Sequence, residues 1–335
     1  MNHSVSILQI RDSSYNIGYK TAEHIKDTKL VQTFERVTSA EIDYKELKRI
    51  FNHYDSSLLV ELEGLSDGLN ISIEKGAALF SGYDVPKTEA MGCSSFMTNE
   101  FYIRNYDFGP QLYDGLFSMY KPTTSYATAG YNLQVLGRHD GINEKGLVIG
   151  LHFVSNKDHK RGISAWTAVR MVLDTCATTE EAIYLLKEIP HAACYNFSVG
   201  DKTGKLAVVE ASSTQVIVRT DNEYLGCVNH FIQNDPLKQN REDITGSTNR
   251  YIFLQKLGAM NLSAEDAYKE FLNKQSPLYF TNYSQLFGTL HTFSYNFKDS
   301  TFKTTIPGSE KDLIFSFNAW VTGDDISQRL LKGKI

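Results

Sequence analysis

Cys93 is the residue with the clearest chemical potential, because it directly follows Gly92 in the sequence Met-Gly-Cys-Ser. Glycine has no Cβ, so a neighbouring thiol can approach its carbonyl closely and the backbone can adopt strained angles. Attack of the Cys93 thiol on the Gly92 carbonyl would give a thioester, and its hydrolysis would release the Cys93 amine. The pair therefore predicts self-cleavage after Gly92, although a buried structural cysteine is the commoner role of a lone Gly-Cys.

A free α-amino group on Cys93 would be a general base tethered to the thiol that it activates. Its pKa of about 8 lies close to neutrality, so no histidine is required. Arg104 and Asp107 follow in the sequence Arg-Asn-Tyr-Asp. A guanidinium beside a thiol favours the thiolate, and a carboxylate can accept a hydrogen bond from an ammonium group. A surface ion pair is the commoner role of this spacing in isolation.

A β-hairpin would bring these groups together. The runs 93–97 and 101–105 have the composition of short strands, and the three residues between them are typical of a turn. Pairing of the two runs would return Arg104 and Asp107 to the neighbourhood of Cys93. The next stretch, 109–130, is predicted to be a long loop that carries several aromatic side chains.

The segment before Cys93 has a helical pattern from residue 14 to residue 80. Apolar residues between positions 47 and 65 recur mostly at spacings of three, four and seven, which predicts one helix with an apolar stripe and Ser39 as its N-cap. A short helix is predicted at about 73–80, followed by an irregular linker with two glycines and a proline over 81–92. We therefore divide the chain into a helical segment, 1–92, and a strand-rich domain, 93–335.

The strand-rich part alternates runs of strands with runs of helices, which favours an α+β layered fold over a doubly wound parallel sheet. The sequence contains no G-x-G-x-x-G or P-loop pattern that would support nucleotide binding. Strands are predicted at 131–137, 146–154, 195–200, 205–211, 214–219, 224–228, 286–293, 301–305 and 313–318, and helices at 164–176, 179–188 and 247–272.

Composition and charge argue against several classes of function. The 335 residues carry a net charge of −5 and are 41% hydrophobic, which is ordinary for a globular protein with a core. A nucleic-acid-binding protein would need a basic face. The sequence shows no secretory signal, no apolar run near the about 20 residues of a membrane span, and too few cysteines for a disulfide framework. We expect a reduced, cytoplasmic protein without nucleic-acid or membrane partners.

Cys93 together with Arg104-Asn-Tyr-Asp107 resembles the choloylglycine hydrolase and penicillin acyltransferase superfamily of N-terminal nucleophile hydrolases. Further matching segments follow in the order expected for that superfamily, so the resemblance covers almost the whole chain. Residues 1–92 look like the helical pro-segment of its acyltransferase branch, and residues 93–335 like its catalytic domain. The further segments are Glu-Gly-Leu-Ser-Asp-Gly at 63–68, Asn-Glu-Lys-Gly-Leu at 143–147, Cys-Val-Asn-His-Phe at 227–231 and Ser-Thr-Asn-Arg-Tyr at 247–251.

This resemblance implies an αββα sandwich, with two antiparallel sheets between helical layers, and roles for five residues. Cys93 would be the nucleophile and its freed amine the base, Asp107 would hold that amine, and Arg104 would polarise the thiol. Asn229 would donate to the tetrahedral oxyanion, and Arg250 would orient the site electrostatically. The implied activity is hydrolysis of, or acyl transfer from, a linear amide through a Cys93 thioester, without a cofactor or metal. Homo-oligomers are common in the superfamily, but this sequence shows no interface that can be named.

His152 departs from the superfamily pattern, because bile salt hydrolases carry an Asn there and penicillin V acylases a Tyr. The departure argues against both of those specific activities. The imidazole can donate a second bond to the oxyanion or line the pocket, and the sequence leaves both roles open. The aromatic stretch after the hairpin is a candidate wall for a hydrophobic acyl group of a small-molecule amide, with Tyr113, Phe117 and Tyr120 as the pocket residues.

Other functions remain as alternatives. A papain-like enzyme would use His139, His152 or His230 as its base, but no matching local signature surrounds the cysteine. A zinc site at Cys227 and His230 would lack a second close pair of ligands. A non-enzymatic binding module could use the aromatic stretch as its pocket, and a hydrolase of the penicillin V acylase or bile salt hydrolase type is a further alternative. Self-cleavage is required by the enzyme hypothesis and not by the binding module.

Overall fold

Two β-sheets lie face to face between layers of helices. The computed structural model describes residues 2–87, 92–233, 235–283 and 287–335. In those residues the strands are β1 (Asn2–Arg11), β2 (Gly92–Thr98), β3 (Phe101–Phe108), β4 (Leu116–Lys121), β5 (Thr128–Leu133), β6 (Gly137–Asn143), β7 (Leu147–Ser155), β8 (Cys194–Asp201), β9 (Leu206–Ala211), β10 (Val216–Asp221), β11 (Tyr224–Cys227), β12 (Thr281–Asn282), β13 (Phe287–Asn296), β14 (Thr301–Thr305), β15 (Leu313–Ser316) and β16 (Leu330–Lys334). The helices are α1 (Ser14–Ile25), α2 (Leu30–Val37), α3 (Tyr44–Tyr54), α4 (Ser56–Gly68), α5 (Ile73–Phe80), α6 (Ala165–Thr175), α7 (Thr179–Glu188), α8 (Thr245–Ala259), α9 (Ala264–Leu272) and α10 (Phe317–Thr322).

The larger sheet has the strand order β10-β9-β8-β7-β6-β5-β4-β1-β16, and the smaller sheet has the order β11-β2-β3-β13-β14-β15, with β12 beside β13. Neighbouring strands are antiparallel except β1 and β4, which run parallel. Helices α6 and α7 pack on the larger sheet, and α8 and α9 pack on the smaller one. Because each central strand is covered on both faces, β6, β7 and β8 are buried along their whole length. The predicted αββα sandwich is confirmed.

Polar bonds join the two sheets across their interface. The Tyr102 hydroxyl on β3 lies 2.8 Å from Ser198 Oγ on β8, and the Tyr131 hydroxyl on β5 lies 2.6 Å from Thr304 Oγ1 on β14. A buried hydroxyl without a partner would cost free energy, so these pairs fix how the sheets face each other. The interface between the sheets therefore contains polar as well as apolar contacts.

The hairpin predicted around residues 98–100 is confirmed. β2 and β3 pair antiparallel, with Gly92 opposite Asp107, Cys93 opposite Tyr106 and Ser95 opposite Arg104. Side chains alternate between the two faces of a strand. Cys93 and Arg104 can therefore meet on one face, since Ser95 lies two residues beyond Cys93 and opposite Arg104.

Three predictions about helices and loops are wrong. The apolar stripe at 47–65 belongs to two helices, because Asp55 ends α3 and its carboxylate accepts the Ser57 N–H that begins α4. Asp43, rather than Ser39, caps α3 by accepting the N–H of Glu46. The predicted loop at 109–130 contains β4 and the start of β5.

β1 is the main element that the sequence analysis did not predict. It precedes the helices of the N-terminal segment and lies between β4 and β16 of the larger sheet. Both of its partners are distant in sequence, and the pairing of distant strands is not visible in local patterns. The segment before Gly92 therefore contributes a strand to the central sheet. In the described residues, no helix has the length and apolar character needed to span a bilayer.

Candidate active site

Cys93 lies at the centre of a buried polar cluster. Its side chain is 0% exposed. Arg104 Nη2 donates to Cys93 Sγ over 3.2 Å, and Arg250 Nη1 donates to the Cys93 carbonyl over 2.6 Å. Burial raises the pKa of the Cys93 thiol to about 11, and the positive charge of Arg104 opposes that shift. In the intact chain the thiol is therefore protonated near neutral pH, and it must lose that proton when it attacks.

Asp107 faces Gly92 across the hairpin. Its Oδ1 accepts a hydrogen bond from Thr289 Oγ1 over 2.6 Å, while its buried Oδ2 has no hydrogen-bond partner among the described residues. Burial raises the pKa of Asp107 to about 6, against the opposing effects of Arg250 and Thr289. The free Oδ2 is thus a buried acceptor beside the predicted cleavage point.

Asn229 and Arg250 hold the backbone of Cys93. The Cys93 N–H donates to Asn229 Oδ1 over 2.8 Å, and Arg250 Nη2 donates to the same oxygen over 2.8 Å. Asn229 Nδ2 donates to the Phe153 carbonyl over 2.8 Å. These three partners fix which end of the amide carries oxygen. For Asn229 to donate to an oxyanion, its side chain would have to leave the Phe153 carbonyl.

Helix α8 explains why a serine and an arginine occur three residues apart at its start. Residues at this spacing share one face of a helix. Ser247 Oγ accepts the N–H of Asn229 over 2.9 Å, and Arg250 extends from the next turn to Cys93 and Ser94. The first turns of α8 therefore position both the segment after β11, which carries Asn229, and the strand that carries the thiol.

His152 is a neutral ring beside the thiol. Its Nε2 lies 3.0 Å from Arg104 Nη1 and 3.0 Å from Ser198 Oγ. Since a guanidinium only donates, Nε2 must accept, and the ring proton lies on Nδ1. Burial and the charge of Arg104 hold the pKa of His152 well below its usual range. The buried Nδ1 has no hydrogen-bond partner among the described residues.

The other histidines considered as bases have different surroundings. Both ring nitrogens of His139 lack a hydrogen-bond partner among the described residues, and burial holds its pKa well below the usual value. His230 Nδ1 lies 2.8 Å from Ser247 Oγ. Within the described ranges, no group of three or more Cys, His, Asp or Glu residues could hold a metal ion.

The aromatic residues predicted to line a pocket separate in the structure. Phe117 packs against Phe302 in the interface between the sheets. The Tyr120 hydroxyl instead lies 2.8 Å from Thr21 Oγ1 of helix α1. Tyr113 lies nearer the site, with its ring centroid 6.3 Å from that of Tyr106. These three residues therefore do not form one wall, and their role as pocket residues stays a prediction.

A mainly apolar cavity of about 410 Å³ lies next to the hairpin of β2 and β3. Phe108, the residue after Asp107, forms part of its wall, and residues from the segment before Gly92 form another part. Its lining consists of Phe34, Val37, Thr38, Val85, Lys87, Phe108, Leu112, Leu133, Gln134 and Trp166.

Sequence reasoning missed three polar residues near the site: Asp140, Thr289 and His291. Each is buried within a strand. A signal for them was present, because a charged or polar residue within an apolar strand is normally paired. Their partners lie on other strands, so the sequence did not show what they contact.

Comparison with known families identifies the chain. The model for the family described as acyl-coenzyme A:6-aminopenicillanic acid acyl-transferase matches residues 96–311. The chain belongs to this family. The match spans Arg104, Asp107, Asn229 and Arg250 and begins just after Cys93. The superfamily resemblance is thereby confirmed, and so is the expectation of an enzyme that hydrolyses linear amide bonds or transfers their acyl groups.

No curated protein matches the chain significantly. Among solved structures, a conjugated bile acid hydrolase variant from Clostridium perfringens is similar with a TM-score of 0.48 and 15% identity, over 73% of this chain and 97% of that chain. Penicillin V acylase from Agrobacterium tumefaciens has a TM-score of 0.41 and 14% identity, over 67% and 86%. An N-acylethanolamine-hydrolyzing acid amidase ortholog from Caenorhabditis elegans has a TM-score of 0.41 and 12% identity, over 61% and 92%. These similarities are too low to assign any residue or substrate.

Proposed function

We propose that this chain is a self-processing cysteine amidase or acyltransferase whose nucleophile is the thiol of Cys93. The observation that carries the proposal is the convergence of Arg104, Asn229 and Arg250 on the side chain and backbone of Cys93, directly after Gly92. A structural cysteine would not need a buried guanidinium on its sulfur. Two arginines at one cysteine instead suit a reaction in which negative charge develops there.

Self-processing begins with attack of Cys93 Sγ on the Gly92 carbonyl carbon. The S–C bond forms, the Gly92–Cys93 C–N bond breaks, and the thiol proton passes to the departing nitrogen. Water then hydrolyses the thioester, which leaves a Gly92 carboxylate, a free thiol and the Cys93 amine. Asn229 Oδ1 already holds the nitrogen that becomes this amine. Residues 1–92 and 93–335 become the two subunits.

In the processed enzyme, the amine takes the thiol proton and the thiolate attacks the carbonyl carbon of a substrate amide. Arg104 stabilises the thiolate, and Asp107 accepts a hydrogen bond from the resulting ammonium. Collapse of the tetrahedral intermediate breaks the substrate C–N bond, protonates the leaving amine and leaves a thioester on Cys93. Water resolves the thioester in a hydrolase, and an acceptor amine resolves it in a transferase.

The oxyanion of the intermediate needs hydrogen-bond donors. Asn229 is one candidate, if its Nδ2 turns away from the Phe153 carbonyl. His152 is a second candidate, because its neutral ring carries a proton on an Nδ1 that lacks a partner among the described residues. Arg250 keeps the backbone of Cys93 in place during the reaction by its bond to the carbonyl.

The acyl group of the substrate is proposed to be hydrophobic. The 410 Å³ cavity beside Phe108 is lined mainly by apolar side chains, and ligand pockets commonly combine such a lining with few polar groups. We expect kcat/KM to rise along a series of amides with increasing acyl length until the cavity is filled. Assays with straight-chain acyl amides of one amine test this expectation, and better turnover of small polar amides would contradict it.

Intact mass under denaturing conditions tests the self-processing step. The wild-type chain is expected to give two fragments that meet between Gly92 and Cys93, and Cys93→Ala is expected to remain uncut. Cys227→Ala, which removes another buried cysteine of the same sheet, is the matched control and should be cut. An uncut wild type, or a cut Cys93→Ala variant, would contradict the proposal and favour a binding module.

A further inference from the structure

A line of buried polar contacts, an ion pair followed by two hydrogen bonds, leads from Arg104 to residues that the proposed reaction does not use. Asp140 Oδ2 lies 2.8 Å from Arg104 Nε and 2.9 Å from His291 Nε2. His291 Nδ1 in turn lies 2.8 Å from the Tyr113 hydroxyl. All four side chains are buried. Through Arg104, this line ends on the sulfur of Cys93.

The two hydrogen bonds that His291 makes in this line have one consistent direction. Burial lowers the pKa of His291, with Asp140 opposing, so the ring is neutral at neutral pH. A neutral imidazole donates from one nitrogen and accepts at the other. Nε2–H therefore donates to the Asp140 carboxylate, and Nδ1 accepts the Tyr113 hydroxyl proton. Asp140 therefore lies between the Arg104 guanidinium and the His291 ring, and the Tyr113 hydroxyl fixes the position of that ring.

Side chains of strand β13 contact Asp107 directly and Arg104 indirectly. The register of β13 with β3 shifts between Thr289 and His291. Thr289 binds Asp107 directly, whereas His291 reaches Arg104 through Asp140. β-bulges commonly redirect side chains beside active sites. Residues 289–291 therefore help to position two groups. One is Asp107, the proposed acceptor for the Cys93 amine, and the other is Arg104, which contacts the Cys93 thiol.

We infer that Tyr113, His291 and Asp140 are positioning residues, which fix the Arg104 guanidinium with Nη2 directed at the Cys93 thiol. This inference rests on the proposed function, because it requires Cys93 to be the nucleophile. The three residues touch no reacting atom. Tyr113 and His291 are uncharged, so their substitution changes the placement of Arg104 without changing the charge around the thiol. The charged groups that act on the thiol are Arg104, Asp107, Asp140 and Arg250.

The rate of self-cleavage tests the inference without a known substrate. Freshly translated full-length chains are chased at several pH values, and the uncut fraction is followed on denaturing gels. Tyr113→Phe is expected to slow cleavage about 2- to 10-fold, the effect of one neutral hydrogen bond, and to move the half-maximal rate to higher pH. His291→Ala should slow it further, and His291→Gln should recover part of the rate, since its amide N–H can replace the bond to Asp140.

Tyr131→Phe is the matched control, because it removes another buried hydroxyl from a ring that stacks 3.7 Å from His291 but lies outside the line. It should cleave like the wild type. Wild-type rates and pH profiles in Tyr113→Phe and His291→Ala would overturn the inference, as would equal slowing of both tyrosine variants with an unchanged pH profile. If the wild type itself stays uncut, the proposed function fails and the inference fails with it.

Discussion

At the residue scale, the sulfur, nitrogen and carbonyl oxygen of Cys93 each have their own partner. Arg104 contacts the sulfur, Asn229 contacts the nitrogen and Arg250 contacts the carbonyl oxygen. Partners that are already in place need little rearrangement when charge develops, and such preorganisation is the main source of electrostatic stabilisation in enzymes. Asp107 differs, because one of its oxygens is buried without a hydrogen-bond partner among the described residues.

The raised pKa of Asp107 gives a prediction about stability and pH. Its folded-state pKa of about 6 lies above the ordinary value of 3.8, so the folded chain retains the proton to higher pH than the unfolded chain. The unfolding free energy should therefore fall as pH rises between these values, by about 3 kcal/mol. When Asp107→Asn is combined with Cys93→Ala, which keeps the chain uncut, this fall in the unfolding free energy should be absent.

Urea unfolding of Cys93→Ala and of Cys93→Ala with Asp107→Asn, from about pH 4 to pH 7, measures the difference. Other titrating groups are common to both proteins and cancel. The Asn variant should gain stability relative to its parent as pH rises. A constant difference between the two proteins across this range would show that the Asp107 pKa is not raised.

At the scale of elements, the hairpin of β2 and β3 brings Cys93, Arg104 and Asp107 together. Strand β13 pairs with β3 along one edge of the hairpin, and Arg250 of helix α8 contacts β2. Gly92 is needed at the first position of β2, because a Cβ there would lie 2.4 Å from Cζ of Phe287 and 3.1 Å from Cβ of Asp107. Close packing at this glycine places the carbonyl that the thiol would attack.

Gly92→Ala should therefore slow self-cleavage strongly. Displacement of a reacting group by about 1 Å can cost on the order of 100-fold in rate, and the added methyl group must push Phe287 or the strand aside. Adding Phe287→Ala should restore part of the rate by making room. Gly246→Ala is the control, because a Cβ at that position meets no atom within 4 Å. Pulse–chase measurement of the uncut fraction tests this prediction. An unchanged cleavage rate in Gly92→Ala would contradict the argument that close packing at Gly92 places its carbonyl.

At the scale of the whole molecule, the segment before Gly92 is part of the main structure rather than a separate cap. β1 lies inside the nine-stranded sheet. Glu61 of α4, which belongs to this segment, forms a buried ion pair with Arg170 of α6, with a shortest separation of 2.6 Å. The segment also supplies part of the cavity wall. We expect it to stay bound after cleavage, as the apolar stripe in its sequence predicts.

Glu61→Ala tests that association. It leaves a buried guanidinium without one of its two carboxylates, and breaking a buried pair in this way typically costs about 3–5 kcal/mol. The midpoint of urea unfolding should fall accordingly, whereas Glu46→Ala, which removes an exposed pair with Arg49, should leave it unchanged. Native size exclusion should keep both wild-type fragments in one peak. Loss of the smaller fragment from the wild type would contradict a shared core.

The sequence by itself determined the features that depend on local order. The hairpin, most strands after it, the helices α6 to α9 and the order of the family segments follow from short-range patterns. Those patterns also indicated Cys93, Arg104, Asp107, Asn229 and Arg250 as the residues of one site. The structure places all five in a connected region.

Only the tertiary structure decided which distant groups meet. The strand β1 was not predicted because its partners, β4 and β16, are distant in sequence. The stretch at 109–130 resembled a loop, although β4 within it lies between β1 and β5 in the sheet. In the same way, His291 and Asp140 lie far apart in the chain and meet only because the two sheets face each other. Local patterns record the preference of each segment for helix or strand, whereas contacts between sheets depend on how all segments pack.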